Sequence, residues 1–209
     1  MRKIFWVIFR ANLVTYSFVG DRFRVGTFNE DSFACGQPIH DWNPKSFVGV
    51  SKPEMDGEID DFVVNDEMLP IVTERLRLLI EAPKTPAIQW LPITLKSRVS
   101  GNTHGYVLNF VELVSGALDL ERTEITTYPQ SWSAPSLRGK IWTLSNTTFI
   151  SACVDQICLF RCSEYPYGLF CSDKFQRTFK KAGFTGASFR QVATSQASHS
   201  AEAHPPPTP

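Results

Sequence analysis

This 209-residue chain is short of net charge, of paired cysteine and of long apolar runs. Lysine and arginine together number 21, and so do aspartate and glutamate, which leaves no formal charge to favour nucleic acid or a membrane surface in general. No apolar stretch approaches the roughly 18 residues that a spanning helix needs. The opening MRKIFWVIFRANL has the basic start of a secretory leader. Its apolar run, Ile4–Phe9, is shorter than the roughly 7–15 residues of a leader core, so it reads as a first β-strand. The 5 cysteines are odd in number and contain no CxxC, which excludes a dense disulfide framework and a zinc site built on that motif. They read as reduced, partly buried thiols of a cytosolic protein. Phosphate-cradling glycine loops, nucleophile elbows and metalloprotease helices are also missing.

What is present is one local design used twice. Leu169–Cys171 forms a short apolar run. Ser172 can then cap a helix with its hydroxyl oxygen, and Asp173 meets the positive end of the helix dipole. Phe175, Phe179 and Ala182 share a face, while Lys174, Arg177, Lys180 and Lys181 cover the remainder. Gly183 should end the helix, with Phe184 folding back on Phe179 as in a Schellman cap. A strand over Ala187–Val192 would follow. The same grammar occurs 99 positions earlier with other residues. Ile71 and Val72 lead in, Thr73 caps, and Glu74 meets the dipole. Leu76, Leu79 and Ile80 make the stripe, Pro83 closes the helix, and Ile88–Leu91 follows as a strand. Both stretches read as strand–helix–strand units, and one sequence leaves open whether they are a duplication.

Residues 1–30 have room for one or two strands. Residues 31–61, rich in Pro, Gly, Asp and Asn, read as a long irregular connection. Ser100–Gly101–Asn102 marks a hairpin turn between LPITL and GYVLNFVELV. Thr123–Lys140 reads as another loop, and KIWTLSNTTFI and ICLFRC supply further strands. The tail, residues 194–209, lacks large apolar side chains and ends in prolines, the composition of a disordered segment. The expected architecture is α+β and strand-rich, with a single domain over residues 1–193 and a disordered tail over 194–209.

The densest chemical signal is acidic. Residues 54–67 hold seven carboxylates and no base. Asp56, Glu58, Asp60 and Glu67 fall at positions 1, 3, 5 and 12 of a calcium-loop spacing, but Asp61 stands where the sharp turn needs glycine. A solvated loop, or a docking surface for a basic partner carried by Asp56, Glu58, Asp60 and Asp61, fits better. Cys35 and His40 are near in sequence and offer a candidate nucleophile–base pair, which would also need an orienting third group. A buried or half-buried thiol is the simpler reading of Cys35. No metal, cofactor or small-molecule substrate is expected.

The order of segments carries a resemblance. FACGQPI, then IVTERLRLLIE leading to IQWLPI, then GYVLNFVELVSGALDLE, then ICLFRC, then LFCSDKFQRTFKKAGFTGASF resembles one family of bacterial immunity proteins. It is the eleventh numbered class of those that accompany polymorphic toxin systems. The resemblance spans roughly residues 30–192. Its most specific parts are YVLN, Leu118–Asp119, Leu159–Arg161 and the closing Gly183, Gly186 and Phe189. It implies a cytoplasmic, non-enzymatic protein that binds and neutralises a cognate toxin, without nucleic acid or membrane as partner. The alternatives are an enzyme with a Cys35–His40 site and a binding domain for some other protein.

Overall fold

The computed structural model describes residues 3–9, 16–18, 33–50, 58–63, 65, 69–81 and 85–196. In chain order the strands before the first helix are β1 (Ile4–Phe9), β2 (Tyr16–Phe18), β3 (Phe47–Val50), β4 (Phe62–Val63) and β5 (Ile71–Thr73). Helix α1 (Glu74–Glu81) precedes β6 (Ile88–Ser97), β7 (Gly101–Phe110), β8 (Glu124–Thr127), β9 (Ile141–Ser145) and β10 (Thr148–Ile150). The short helix α2 (Ser151–Val154), β11 (Leu159–Phe160), β12 (Phe170–Ser172), α3 (Asp173–Lys181) and β13 (Ala187–Ser195) complete it. The architecture is strand-rich α+β, as expected.

Two sheets carry the fold, with orders β2-β3-β6-β7-β5-β4 and β10-β13-β1-β12-β11; β8 and β9 form a separate ribbon. In the first sheet β7 lies antiparallel between β5 and β6. In the second, β1 lies antiparallel between β12 and β13. Each strand–helix–strand unit therefore delivers two parallel strands with a third inserted between them. The flanking pairs also correspond. β4 is antiparallel to β5 as β11 is to β12, and β3 is parallel to β6 as β10 is to β13. Register agrees residue by residue: Phe62 faces Val72 as Leu159 faces Cys171, and Trp90 takes the place in β6 that Phe189 takes in β13. The 99-residue spacing of the two units is thus a structural equivalence. The difference is connectivity. The middle strand of the first sheet follows its unit through a hairpin, whereas that of the second sheet is the first described strand of the chain.

Strand alternation assigns the cores. Val7, Phe62, Val72, Leu108, Phe110, Leu159 and Cys171 point from both sheets into one shared core, where Leu76 and Ile80 of α1 and Phe175 and Phe179 of α3 join them. The opposite face of the first sheet buries Ile71, Leu91, Ile93, Leu95 and Val107 under Phe33 and Ile39. The opposite face of the second buries Ile4, Phe149, Phe160 and Phe170 under Ala117 and Leu118.

The cap of α3 follows the expected chemistry. The Phe175 amide donates to Ser172 Oγ at 3.3 Å. At the far end the Phe184 amide reaches the Phe179 carbonyl at 3.2 Å and the Gly183 amide the Lys180 carbonyl at 3.1 Å, the Schellman pair. Ala182, expected on the buried stripe, is exposed, because the helix has by then turned away from the core. Pro83 lies outside the described residues. Two loops were under-read: β3 lies inside the 31–61 connection, and β8 inside the 123–140 loop. Strand β13 runs to Ser195 and takes in the first two residues of the expected tail.

Candidate functional site

The acidic run borders a groove of about 580 Å³. Its walls come from three places: Glu58, Ile59 and Asp61 ahead of β4; Thr73, Glu74 and Arg75 at the β5–α1 junction; and Val99, Ser100 and Thr103 around the β6–β7 turn.

Asp61 is the fixed point of this groove. It is only 6% exposed, and a buried carboxylate is costly unless its oxygens are fully engaged. Oδ1 accepts from the Thr73 hydroxyl at 2.9 Å and from Arg75 Nε at 3.1 Å. Oδ2 accepts from Arg75 Nη2 at 2.6 Å and from the Thr185 amide at 3.1 Å. The fork of the guanidinium matches the two oxygens, the geometry that makes such pairs strong. Hydrogen bonding to Asp61 raises the Arg75 pKa, and the guanidinium also lies 4.4 Å over the Phe184 ring. One carboxylate thus ties β4, the start of α1 and the loop after α3 together. The glycines of that loop follow from it. Gly186, at φ +85°, packs so closely that an added Cβ would meet the Phe62 carbonyl oxygen.

The four acidic residues expected at a partner surface therefore separate. Asp61 turns inward and its carboxylate is consumed by the fold, so a surface role for the run falls to its neighbours. Glu58 is exposed and Asp60 half-buried, while Asp56 lies outside the described residues. Sequence reasoning missed Glu74, whose carboxylate lines the groove and pairs with Arg77 at 3.5 Å. It also missed Val99, an apolar side chain 65% exposed on the groove wall. With Asp61 held by Arg75, the carboxylates left to the wall are those of Glu58 and Glu74. Among the described residues no three His, Cys, Asp or Glu side chains converge as a metal site would require.

A second polar construction lies on the far side of the first sheet. Gln89 of β6 accepts from the Ile39 amide at 2.8 Å and donates to its carbonyl at 2.7 Å, mimicking a strand partner. Asn109 of β7 donates to the Gln37 carbonyl at 2.9 Å and to Gln89 Oε1 at 3.0 Å. Arg161, 4% exposed, donates to the Phe33 carbonyl at 2.9 Å. Burial pulls the Arg161 pKa down to about 10. Its Nε and the Asn109 Oδ1 are buried without a hydrogen-bond partner. Buried Asn109 and Arg161, with half-buried Gln89, thus clamp the 33–39 segment onto the fold. The clamp is built from FACGQPI, IQWLPI, YVLN and LFR, four stretches far apart in sequence that the resemblance picked out. The held segment presents Cys35, Gln37, Pro38 and His40 at the surface. Cys35 is exposed where a buried or half-buried thiol was expected, because the turn at Gly36 carries it outward. Neither Cys35 nor His40 lines this groove or a second one of about 550 Å³ beside β13.

The remaining stretch, Leu118–Asp119, has a similar holding role. Asp119 Oδ2 accepts from the Ser195 hydroxyl at 2.6 Å, and the Asp119 amide donates to the Thr148 carbonyl at 2.9 Å. A family model described as the immunity protein family Imm11 matches residues 27–194. The chain belongs to this family. No curated protein matches it. The matched span of the Imm11 chain takes in the clamped segment, the Asp61 network and all three helices, and ends within β13. Among the described residues no helix is long and apolar enough to cross a membrane.

Proposed function

We propose that this Imm11 protein acts in the bacterial cytoplasm, where it binds a cognate toxin of a polymorphic toxin system and neutralises it by surface complementarity rather than by turnover. The observation that carries this reading beyond family membership is the acidic groove. Its carboxylates stand on a frame made rigid by the Asp61–Arg75 pair, with exposed Val99 as an apolar contact beside them. A toxin that acts on nucleic acid must itself be cationic to hold a polyanion. An acidic groove on a preorganised scaffold attracts such a surface from a distance and fixes its orientation on arrival.

The test uses the proposed cognate toxin, sought as a toxin domain in the neighbouring reading frame. Asp56→Asn, Glu58→Gln and Asp60→Asn together, with Asp61 kept for the fold, are expected to slow association roughly tenfold at low salt and to flatten its dependence on ionic strength. Stopped-flow association across a salt series reads both. An unchanged rate and salt slope would remove the acidic run from the interface.

A further inference from the structure

The ribbon of β8 and β9 belongs to neither large sheet, and all four β8 residues are exposed. It carries three aromatic rings in mutual contact. Tyr128 and Trp142 stack at 5.4 Å with 21° between planes, Tyr128 and Trp132 lie 5.3 Å apart, and Trp132 and Trp142 lie 5.8 Å apart. Trp142 is 47% exposed. The backbone beneath is held: the Tyr128 amide donates to the Lys140 carbonyl at 2.9 Å and the Gly139 amide to the Tyr128 carbonyl at 3.0 Å. Arg138 Nε donates to the Trp132 carbonyl at 2.8 Å. Ahead of β3 the Trp42 indole N–H is spent on the Pro92 carbonyl at 2.7 Å, whereas among the described residues those of Trp132 and Trp142 have no such acceptor. No carboxylate occurs from Ile125 to Val154, and Arg138 and Lys140 flank the rings.

Flat aromatic faces with free indole donors and a cationic rim suit one kind of ligand above others. A polyproline segment has rigid rings to stack and backbone carbonyls with no internal hydrogen bonds. The chain carries such a segment. His204–Pro209 reads HPPPTP, with a proline-x-x-proline spacing from Pro206 to Pro209, and Glu202 is the sole acidic residue after Asp173. Position favours it too. The Ser195 hydroxyl holds Asp119 Oδ2 at 2.6 Å, and the Thr123 amide, at the root of β8, donates to the Asp119 carbonyl at 2.9 Å. Segment and ribbon therefore start from the same point. Tyr128 lies five residues along from Thr123, about 17 Å at strand rise. About nine residues separate Gln196 from Pro205, and a chain of that length at coil dimensions has a typical span of roughly 15–18 Å. We propose that residues 202–209 dock in cis on the Tyr128–Trp132–Trp142 platform, prolines against the rings and Glu202 toward Arg138 and Lys140. The platform is then occupied by the protein's own tail until a competing proline-rich segment displaces it.

The indole N–H resonances of the full chain test this, with Trp132→Phe and Trp142→Phe assigning the two signals. Replacing Pro205, Pro206, Pro207 and Pro209 by alanine should shift the Trp132 and Trp142 signals and leave those of Trp6, Trp42 and Trp90 in place. Adding a synthetic peptide of residues 201–209 to that variant should return the two signals toward their original positions. Unmoved Trp132 and Trp142 signals would overturn the proposal. So would a shift that fades on dilution, which would place the tail of a second copy on the platform.

Discussion

At the scale of single residues, the same side-chain type does opposite work according to burial. Asp61 and Glu58 stand three positions apart, yet one is a structural anchor and the other a surface charge. Asp61→Ala would leave the Thr73 hydroxyl, the Thr185 amide and the Arg75 guanidinium without their acceptor. Arg75 is 58% exposed and can turn to water, so the cost falls mainly on the part-buried bonds from Thr73 and Thr185. The expected loss is about 2–4 kcal/mol by urea denaturation, against less than about 0.5 kcal/mol for Glu58→Gln. Equal effects of the two changes would contradict the assignment.

The thiols divide in the same way. Burial pushes Cys162 up to about 12 and raises Cys158 and Cys171 as well. In the unfolded chain such thiols lose their protons near 9, while the folded chain keeps them, so stability should fall as pH rises from about 9 toward 12. Arg161, depressed to about 10, works in the opposite direction only above that pH. The urea midpoint is therefore expected to drop between pH 8 and pH 10. An aromatic disulfide reagent should modify exposed Cys35 promptly at pH 8 and reach Cys158, Cys162 and Cys171 only with denaturant. Prompt reaction of all of them would refute the burial.

At the scale of elements, the capped helix α3 was the most legible part of the sequence. Ser172, Phe179, Gly183 and Phe184 encode α3 and its ending within a dozen residues, so local chemistry suffices. The glycine three residues after Gly183 needed the fold to explain it. Gly186 has positive φ and sits against the Phe62 carbonyl, a contact 124 residues distant in sequence that no local pattern announces. Gly186→Ala is expected to cost more than about 3 kcal/mol, since backbone must move. Gly101→Ala, at φ +76° with open space around it, should cost only about 1 kcal/mol. Thermal denaturation of the two variants reads the contrast, and similar melting points would contradict it. The missed strands have physical reasons of their own. β8 is EITT with every residue exposed, so no apolar alternation marks it. β3 is four residues in a proline- and glycine-rich stretch and gains its pairing from β6.

At the scale of the whole molecule, the two units announced themselves, but the sheets did not. Nothing in residues 71–91 or 170–192 says that a third strand will be threaded between each pair, from β7 in one case and β1 in the other. The candidate site was half legible for a related reason. The acidic run is visible as composition, yet which of its carboxylates face outward depends on Arg75 and Thr185, which come from other elements. The clamp was legible only as short motifs whose joint purpose, holding residues 33–39, appears once Gln89, Asn109 and Arg161 are brought together. The resulting molecule is a braced double sheet that offers an acidic groove and a clamped surface segment, a form suited to being recognised.

The most direct measurement takes the proposed cognate toxin, sought as a toxin domain in the neighbouring reading frame, and titrates this chain into a fixed amount of it, with toxin activity as the readout. Neutralisation by surface binding requires activity to fall in proportion to added chain and to vanish at a fixed stoichiometric ratio. Active toxin of unchanged mass should be recovered when the complex is taken apart. Loss of activity that grows with time at far lower ratios, or a toxin chemically altered after separation, would contradict it.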